Sequence, residues 1–110
     1  MRVWTKNERW ILSEWLVARD RVERLHEELI AHRKRSKFAE VDLLFQTRLG
    51  YTIVEVKTES DFALLSFSQR QRLLRARASL EAASEKEVIL ILALVRQLGP
   101  KAEIEYVELC

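Results

Sequence analysis

Apolar residues recur along the first third of the chain at steps of three and four: Ile11, Trp15, Ala18, Val22, Leu25 and Leu29. Such a stripe predicts an amphipathic helix with one face turned to a core. Ahead of it, Thr5-Lys6-Asn7-Glu8 has the form of a capping box, with Thr at the N-cap and Glu three residues on. The expected helix runs from about Lys6 to His32, with Arg19, Asp20, Arg21, Glu23 and Arg24 on its other faces. A break near Arg19 to Glu23 is left open. The basic stretch His32 to Lys37 has no apolar period and reads as a loop.

From Phe38 the period changes. Phe38 to Phe45 reads as a strand, Gln46 to Gly50 as a turn with Gly50 at positive φ, and Tyr51 to Thr58 as a strand rich in β-branched residues. Strands joined this closely form an antiparallel hairpin. Glu59 to Ser66 is irregular. Ser66 or Ser68 caps a helix to about Ser84, with Leu73, Ala76 and Leu80 facing inward. The unbroken apolar run within Glu87 to Val95 fits a strand covered on both faces. Gly99-Pro100 turns the chain, and Ala102 to Leu109 alternates as an edge strand. The predicted order is α-β-β-α-β-β, an α/β domain with a mixed central sheet of four or five strands flanked by helices.

Composition narrows the class. The 110 residues suit a single domain, 1–110. With 19 Lys and Arg against 17 Asp and Glu, the chain is no globally basic binder. Two Gly and one Pro argue against a turn-rich β-sandwich, and the lone Cys110 excludes an internal disulfide framework. Val88 to Val95 is too short for a membrane helix, and charges interrupt the apolar residues at the N-terminus as no signal peptide allows. These features lead to the expectation of a cytoplasmic protein without a membrane partner.

Strand alternation supplies the candidate chemistry. Glu40 and Asp42 share one face of the first strand, Glu55 and Lys57 one face of the second. A register pairing Phe45 with Thr52 also opposes Asp42 to Glu55 and Glu40 to Lys57. Opposed carboxylates repel unless a cation lies between them, and hard oxygen ligands suit Mg²⁺ or Mn²⁺. A solvated charged face with an ordinary Glu40–Lys57 ion pair is the competing reading. Glu8 continues the apolar stripe of the first helix inward, and Gln69 heads the Leu73, Ala76 and Leu80 stripe of the second. Polar residues from four elements then converge, which favours a site.

Glu40-Val41-Asp42-Leu43-Leu44, Ile53-Val54-Glu55-Val56-Lys57-Thr58 and Ser68-Gln69-Arg70-Gln71-Arg72-Leu73-Leu74, in that order, resemble the PD-(D/E)XK nuclease superfamily and, more narrowly, the YraN family. The resemblance covers nearly the whole chain and departs from the family pattern at Asn7 and Ala39, where Gly is usual. It implies a restriction-endonuclease-like core of α-β-β-β-α-β type, related to archaeal Holliday-junction resolvases. It also implies metal binding by Asp42, Glu55 and the backbone carbonyl of Val56. Lys57 would orient the attacking water, and Glu8 and Gln69 would support the site.

Arg33, Lys34, Arg35 and Lys37 before the first site strand suit phosphate contacts, while Arg70, Arg72, Arg75 and Arg77 on the crossover helix suit either such contacts or, the preferred reading there, a solvated face balanced by Glu81, Glu85 and Glu87. Trp4, Trp10 and Trp15 suit a core or a second copy of the chain. The leading expectation is a Mg²⁺- or Mn²⁺-dependent endonuclease acting on DNA, branched or structured DNA included. A non-catalytic nucleic-acid-binding module and a dimerising interaction protein are the alternatives.

Overall fold

The computed structural model describes residues 6–35, 40–58, 66–98 and 101–109. Two helices and five strands follow in the order α1 (Lys6–Glu23), β1 (Glu28–Arg35), β2 (Glu40–Gln46), β3 (Gly50–Thr58), α2 (Phe67–Ser84), β4 (Glu87–Leu98) and β5 (Lys101–Leu109). The strands lie in one sheet in the order β1-β2-β3-β4-β5. Only β3 and β4 are parallel, and α2 makes the crossover between them. The other neighbours are antiparallel, so the sheet is mixed. The proposed cap Thr5 lies outside the described residues, as do Lys37 and the Gly99-Pro100 turn.

The two helices build two cores. Val17 and Ala18 of α1 pack with Leu43, Phe45, Val54, Val56, Ala93 and Val95. Leu73 of α2 packs with Val41, Leu44, Ile53, Val88 and Leu90. β3 and β4 contribute to both clusters, which explains why their sequences are nearly unbroken apolar runs.

Three expectations change. The first helix ends at Glu23, and the stretch expected to continue it, with part of the expected basic loop, is β1. Helix and connector are closed by Arg24 N–H to Asp20 O and Glu27 N–H to Arg21 O, with His26 at φ 57 between them. The buried Arg21 and Glu27 side chains also pair there, Nη2 to Oε2 at 2.8 Å. Second, α1 turns Ser13, Glu14, Val17, Ala18 and Arg21 inward, leaving Ile11, Trp15 and Val22 of the apolar stripe exposed. Third, Gly50 has no positive φ. A Cβ there would lie 2.0 Å from the carbonyl oxygen of Glu87, so glycine is required by the close approach of β4.

Ser66 is the N-cap of α2, and its side chain accepts the Gln69 amide at 3.2 Å. That cap sets Gln69 at the end of the first turn. No helix among the described residues is long and apolar enough to cross a membrane.

Candidate functional site

The β2–β3 hairpin is closed by Thr47, which bonds Gly50 through both backbone and hydroxyl. Its ladder pairs Phe45 with Thr52, as expected, and ends at Leu43–Val54. The strands then part. Asp42 and Glu55 are not ladder partners, and neither are Glu40 and Lys57. Glu40 is exposed and pairs in register with Arg35 of β1 instead. Alternation also breaks at Asp42, since Leu43 belongs to the α1-side core and Val41 to the α2-side core. Asp42 fills the gap between the strands, its Oδ2 accepting the Val56 backbone N–H at 2.8 Å. The Val56 side chain is core.

Glu55 is buried on the other side of this gap. Its Oε1 accepts from Gln69 Nε2 at 3.2 Å and lies 4.0 Å from Lys57 Nζ. Lys57 Nζ lies 3.5 Å from Gln69 Oε1. The Gln69 amide thus stands between the carboxylate and the ammonium, each end matched to its partner. The Glu55 Oε2 atom is buried with no hydrogen-bond partner among the described residues.

A third carboxylate, Glu14 of α1, acts on the pair through its charge. Glu8 lies in the first turn of α1 and is half-buried. Glu14 is fully buried, and it is the α1 carboxylate whose charge raises the pKa of both Asp42 and Glu55. Its Oε1 accepts from His32 Nε2 at 2.8 Å and Arg33 Nε at 3.0 Å. Its Oε2 has no partner among the described residues. The expected inward face followed the large apolar residues and so passed over Glu14. The signal was its place one turn before Val17 and Ala18, smaller residues that pack more closely on a sheet.

Two irregularities in β1 bring His32 and Arg33 to the same acid. Ile30 is an extra residue against β2, so Leu29 packs in one core and Ala31 in the other. Arg33 has φ 52, which lets it follow His32 toward α1 where a regular strand would send it to the opposite face. Its guanidinium lies 4.3 Å from the Trp10 ring centroid, and the His32 ring lies 5.0 Å from that of Trp15.

Burial dominates the electrostatics. Desolvation, outweighing the Val56 hydrogen bond and the nearby cations, pushes Asp42 up to about 6. Desolvation and the adjacent Asp42 charge push Glu55 up to about 8, against the pull of Lys57. Such a pair binds protons tightly in the absence of another cation. Its hard oxygen donors, the unpartnered Glu55 Oε2 among them, suit Mg²⁺ or Mn²⁺. Among the described residues no group of three or more His, Cys, Asp or Glu side chains is placed to hold a metal ion.

The predicted phosphate contacts divide. Lys34 and Arg35 are exposed on edge strand β1, and Arg70 and Arg72 are exposed on α2. Arg33 is engaged with Glu14 and Trp10 instead. Arg77 is tied to the Leu109 carbonyl at 3.2 Å and to Glu81. No protein-family model matches the chain, and no curated protein is recognisably similar to it.

Proposed function

We propose that the chain is a Mg²⁺- or Mn²⁺-dependent nuclease of PD-(D/E)XK type that hydrolyses DNA phosphodiester bonds, with branched or structured DNA as its substrate class. The observation that carries this reading is the parted end of the β2–β3 hairpin. There two buried carboxyl groups and a lysine meet, with Glu55 Oε2 left without a partner. A buried acidic oxygen calls for a cation, a bound water or a proton shared with Asp42, and a metal ion is the occupant this reading assigns. The observed sequence of elements, with three strands before the crossover helix, also agrees with the order implied by the resemblance.

Asp42 and Glu55 would hold the metal, with the Val56 carbonyl as a backbone ligand. A divalent cation there supplies charge stabilisation at the phosphoryl oxygens and acidifies water. The protein's own parts have separable tasks. The Val56 amide fixes the Asp42 carboxylate, so its orientation is set before any ligand arrives. Gln69 fixes Glu55 and restrains Lys57, whose ammonium holds a water for in-line attack. Exposed Arg72 on α2 offers phosphate contact. The reading carries with it a cytoplasmic location.

The test is cleavage of single-stranded, duplex, flap and four-way DNA with Mg²⁺ or Mn²⁺. Cleavage that disappears in Asp42→Asn supports the enzyme. Salt-dependent DNA binding that survives Asp42→Asn, with no cleavage of any substrate, assigns the fold to a non-catalytic binding module. Assembly without DNA affinity assigns it to a dimerising protein.

A further inference from the structure

We propose that the cavity between α2 and the β1–β2 half of the sheet binds a small amphipathic anion: an aliphatic monocarboxylate of medium length, its tail in the cavity and its carboxylate on Lys34. None of the residues that line this cavity belongs to the proposed metal site.

The helix packs chiefly along β4, and on its other flank it does not close on the sheet. The space left there has a volume of about 210 Å³. Its floor is the buried Val41, Leu44 and Ile53 of β2 and β3. Its helical wall is Ala76, Ser79 and Ala83, small residues on one flank of α2. The same helix sets Leu73 where it does meet the sheet. The strand β1 adds no large apolar side chain, because the bulge at Ile30 turns Ala31 to this side. Protein interiors otherwise pack without gaps of this size. A cavity of about 150 Å³ takes benzene, so this one suits a saturated tail of about six to eight carbons.

Charge selects the head group. Among the described residues that line the cavity, Lys34 alone is charged, and no carboxylate accompanies it. Lys34 is the register partner of Val41, and directly paired residues share a face, so its stem rises beside the floor. Arg33, at φ 52, turns instead toward α1 and Glu14, which leaves Lys34 as the cation on this side. Neither the Lys34 ammonium nor the Ser79 hydroxyl has a hydrogen-bond or ion-pair partner among the described residues. An ammonium and a hydroxyl at an exposed rim, over an apolar floor, complement a carboxylate that carries a hydrocarbon chain. A nucleic-acid strand would meet the same ammonium, but it has no saturated tail to fill the space. No aromatic side chain among the described lining residues offers its bases a stacking surface either.

The experiment titrates octanoate, below its micellar concentration and with EDTA present, into the full chain by calorimetry. Octylammonium, 1-octanol and acetate are the matched probes, and thermal melts run in parallel. The expected result is octanoate uptake that saturates at one per chain and raises the melting temperature. Octylammonium, with the wrong charge, and acetate, with no tail, should not bind. Lys34→Gln should weaken octanoate about fivefold or more while leaving 1-octanol unchanged. Ser79→Leu, at an exposed helical position, places a side chain in the cavity. It should abolish uptake of both octanoate and 1-octanol without lowering the melting temperature. Octanoate uptake that is absent or does not saturate, that octylammonium matches, or that Lys34→Gln or Ser79→Leu leaves unchanged overturns the proposal. The comparison among probes needs no substitution, so it decides the matter even if a variant does not fold. With EDTA present, every outcome is separate from that of the metal site.

Discussion

Asp42 takes the backbone amide of Val56, at 2.8 Å, immediately past the point where the β2–β3 ladder ends. One carboxylate therefore satisfies a buried sheet amide and stands at the candidate metal site. The two roles separate by substitution. Asp42→Asn keeps an acceptor for Val56 N–H, whereas Asp42→Ala leaves that donor buried and unpaired. Asp42→Ala is expected to be less stable than Asp42→Asn by about 1–3 kcal/mol in urea unfolding. Both should lose cleavage activity. Equal stability of the two variants would mean that the amide bond contributes little.

The raised carboxyl pKa values set a pH dependence with a definite sign. A carboxyl whose pKa is higher in the folded state takes up protons on folding. Its contribution favours the folded state below the unfolded pKa and is lost as pH rises through the folded value. Asp42 spans 3.8 to about 6, and Glu55 4.5 to about 8. Metal-free protein should therefore lose stability between about pH 4 and 8, on the order of a few kcal/mol. Glu55→Gln should flatten the upper part of that slope. Mg²⁺ at pH 8 should restore stability to the unmodified chain, because it binds the ionised form. Thermal melts across this range, with and without Mg²⁺, measure all three.

What was legible in the sequence was local. β3 and β4 declare themselves as apolar runs, Ser66 is a cap with a nearby amide to bind, and the assumed Phe45–Thr52 register is the observed one. β1 was hidden because Leu25 and Leu29 prolong the helical spacing of α1, while its strand character comes from pairing with β2. Glu14 was hidden because the apolar stripe pointed the helix the wrong way. The buried face carries Ser13, Glu14 and Arg21 among Val17 and Ala18, so tertiary pairing overrode the amphipathic pattern. The exchange of faces at Asp42 and Arg33 breaks the strand period that placed the other site residues.

Gly50 separates a conformational requirement from a spatial one. Because its φ is not positive, Gly50→Ala meets no backbone strain of its own. The added Cβ instead meets the Glu87 carbonyl oxygen at 2.0 Å, a backbone atom that cannot swing aside. The parallel β3–β4 pairing must part at its first residue pair, Gly50 with Glu87. A loss of about 1–3 kcal/mol is expected in urea unfolding. An unchanged midpoint would show that β4 yields at its start.

Gln69 bridges Lys57 and Glu55 by matching its two amide ends to them. Gln69→Leu keeps the approximate volume and removes both contacts, freeing Lys57 to approach Glu55 as a simple ion pair. The expected consequence is a fall in the cleavage rate of about 10-fold or more at saturating DNA, from loss of positioning, with KM little changed. Gln69→Glu should act differently, because a further carboxylate beside Glu55 raises the proton affinity of the pair and shifts the pH–rate profile upward. A common effect of the two variants would reduce Gln69 to a packing role.

The arginines of α2 divide into contacts with the fold and contacts with solvent, and DNA binding should divide with them. Arg72 is exposed and bonds only weakly to Ser68, at 3.5 Å. Arg77 holds the Leu109 carbonyl and Glu81. A phosphate contact contributes through counterion release, so Arg72→Gln should weaken DNA binding for every sequence. It should also lower the slope of log affinity against log salt by about 1. Arg77→Gln should leave that slope unchanged and instead lower stability, because it frees the end of β5 from the helix. Measuring both variants over a salt series distinguishes a phosphate-binding face from a charged but structural one. A slope unaffected by Arg72→Gln moves the DNA path off this helix and toward Lys34 and Arg35 on the β1 edge.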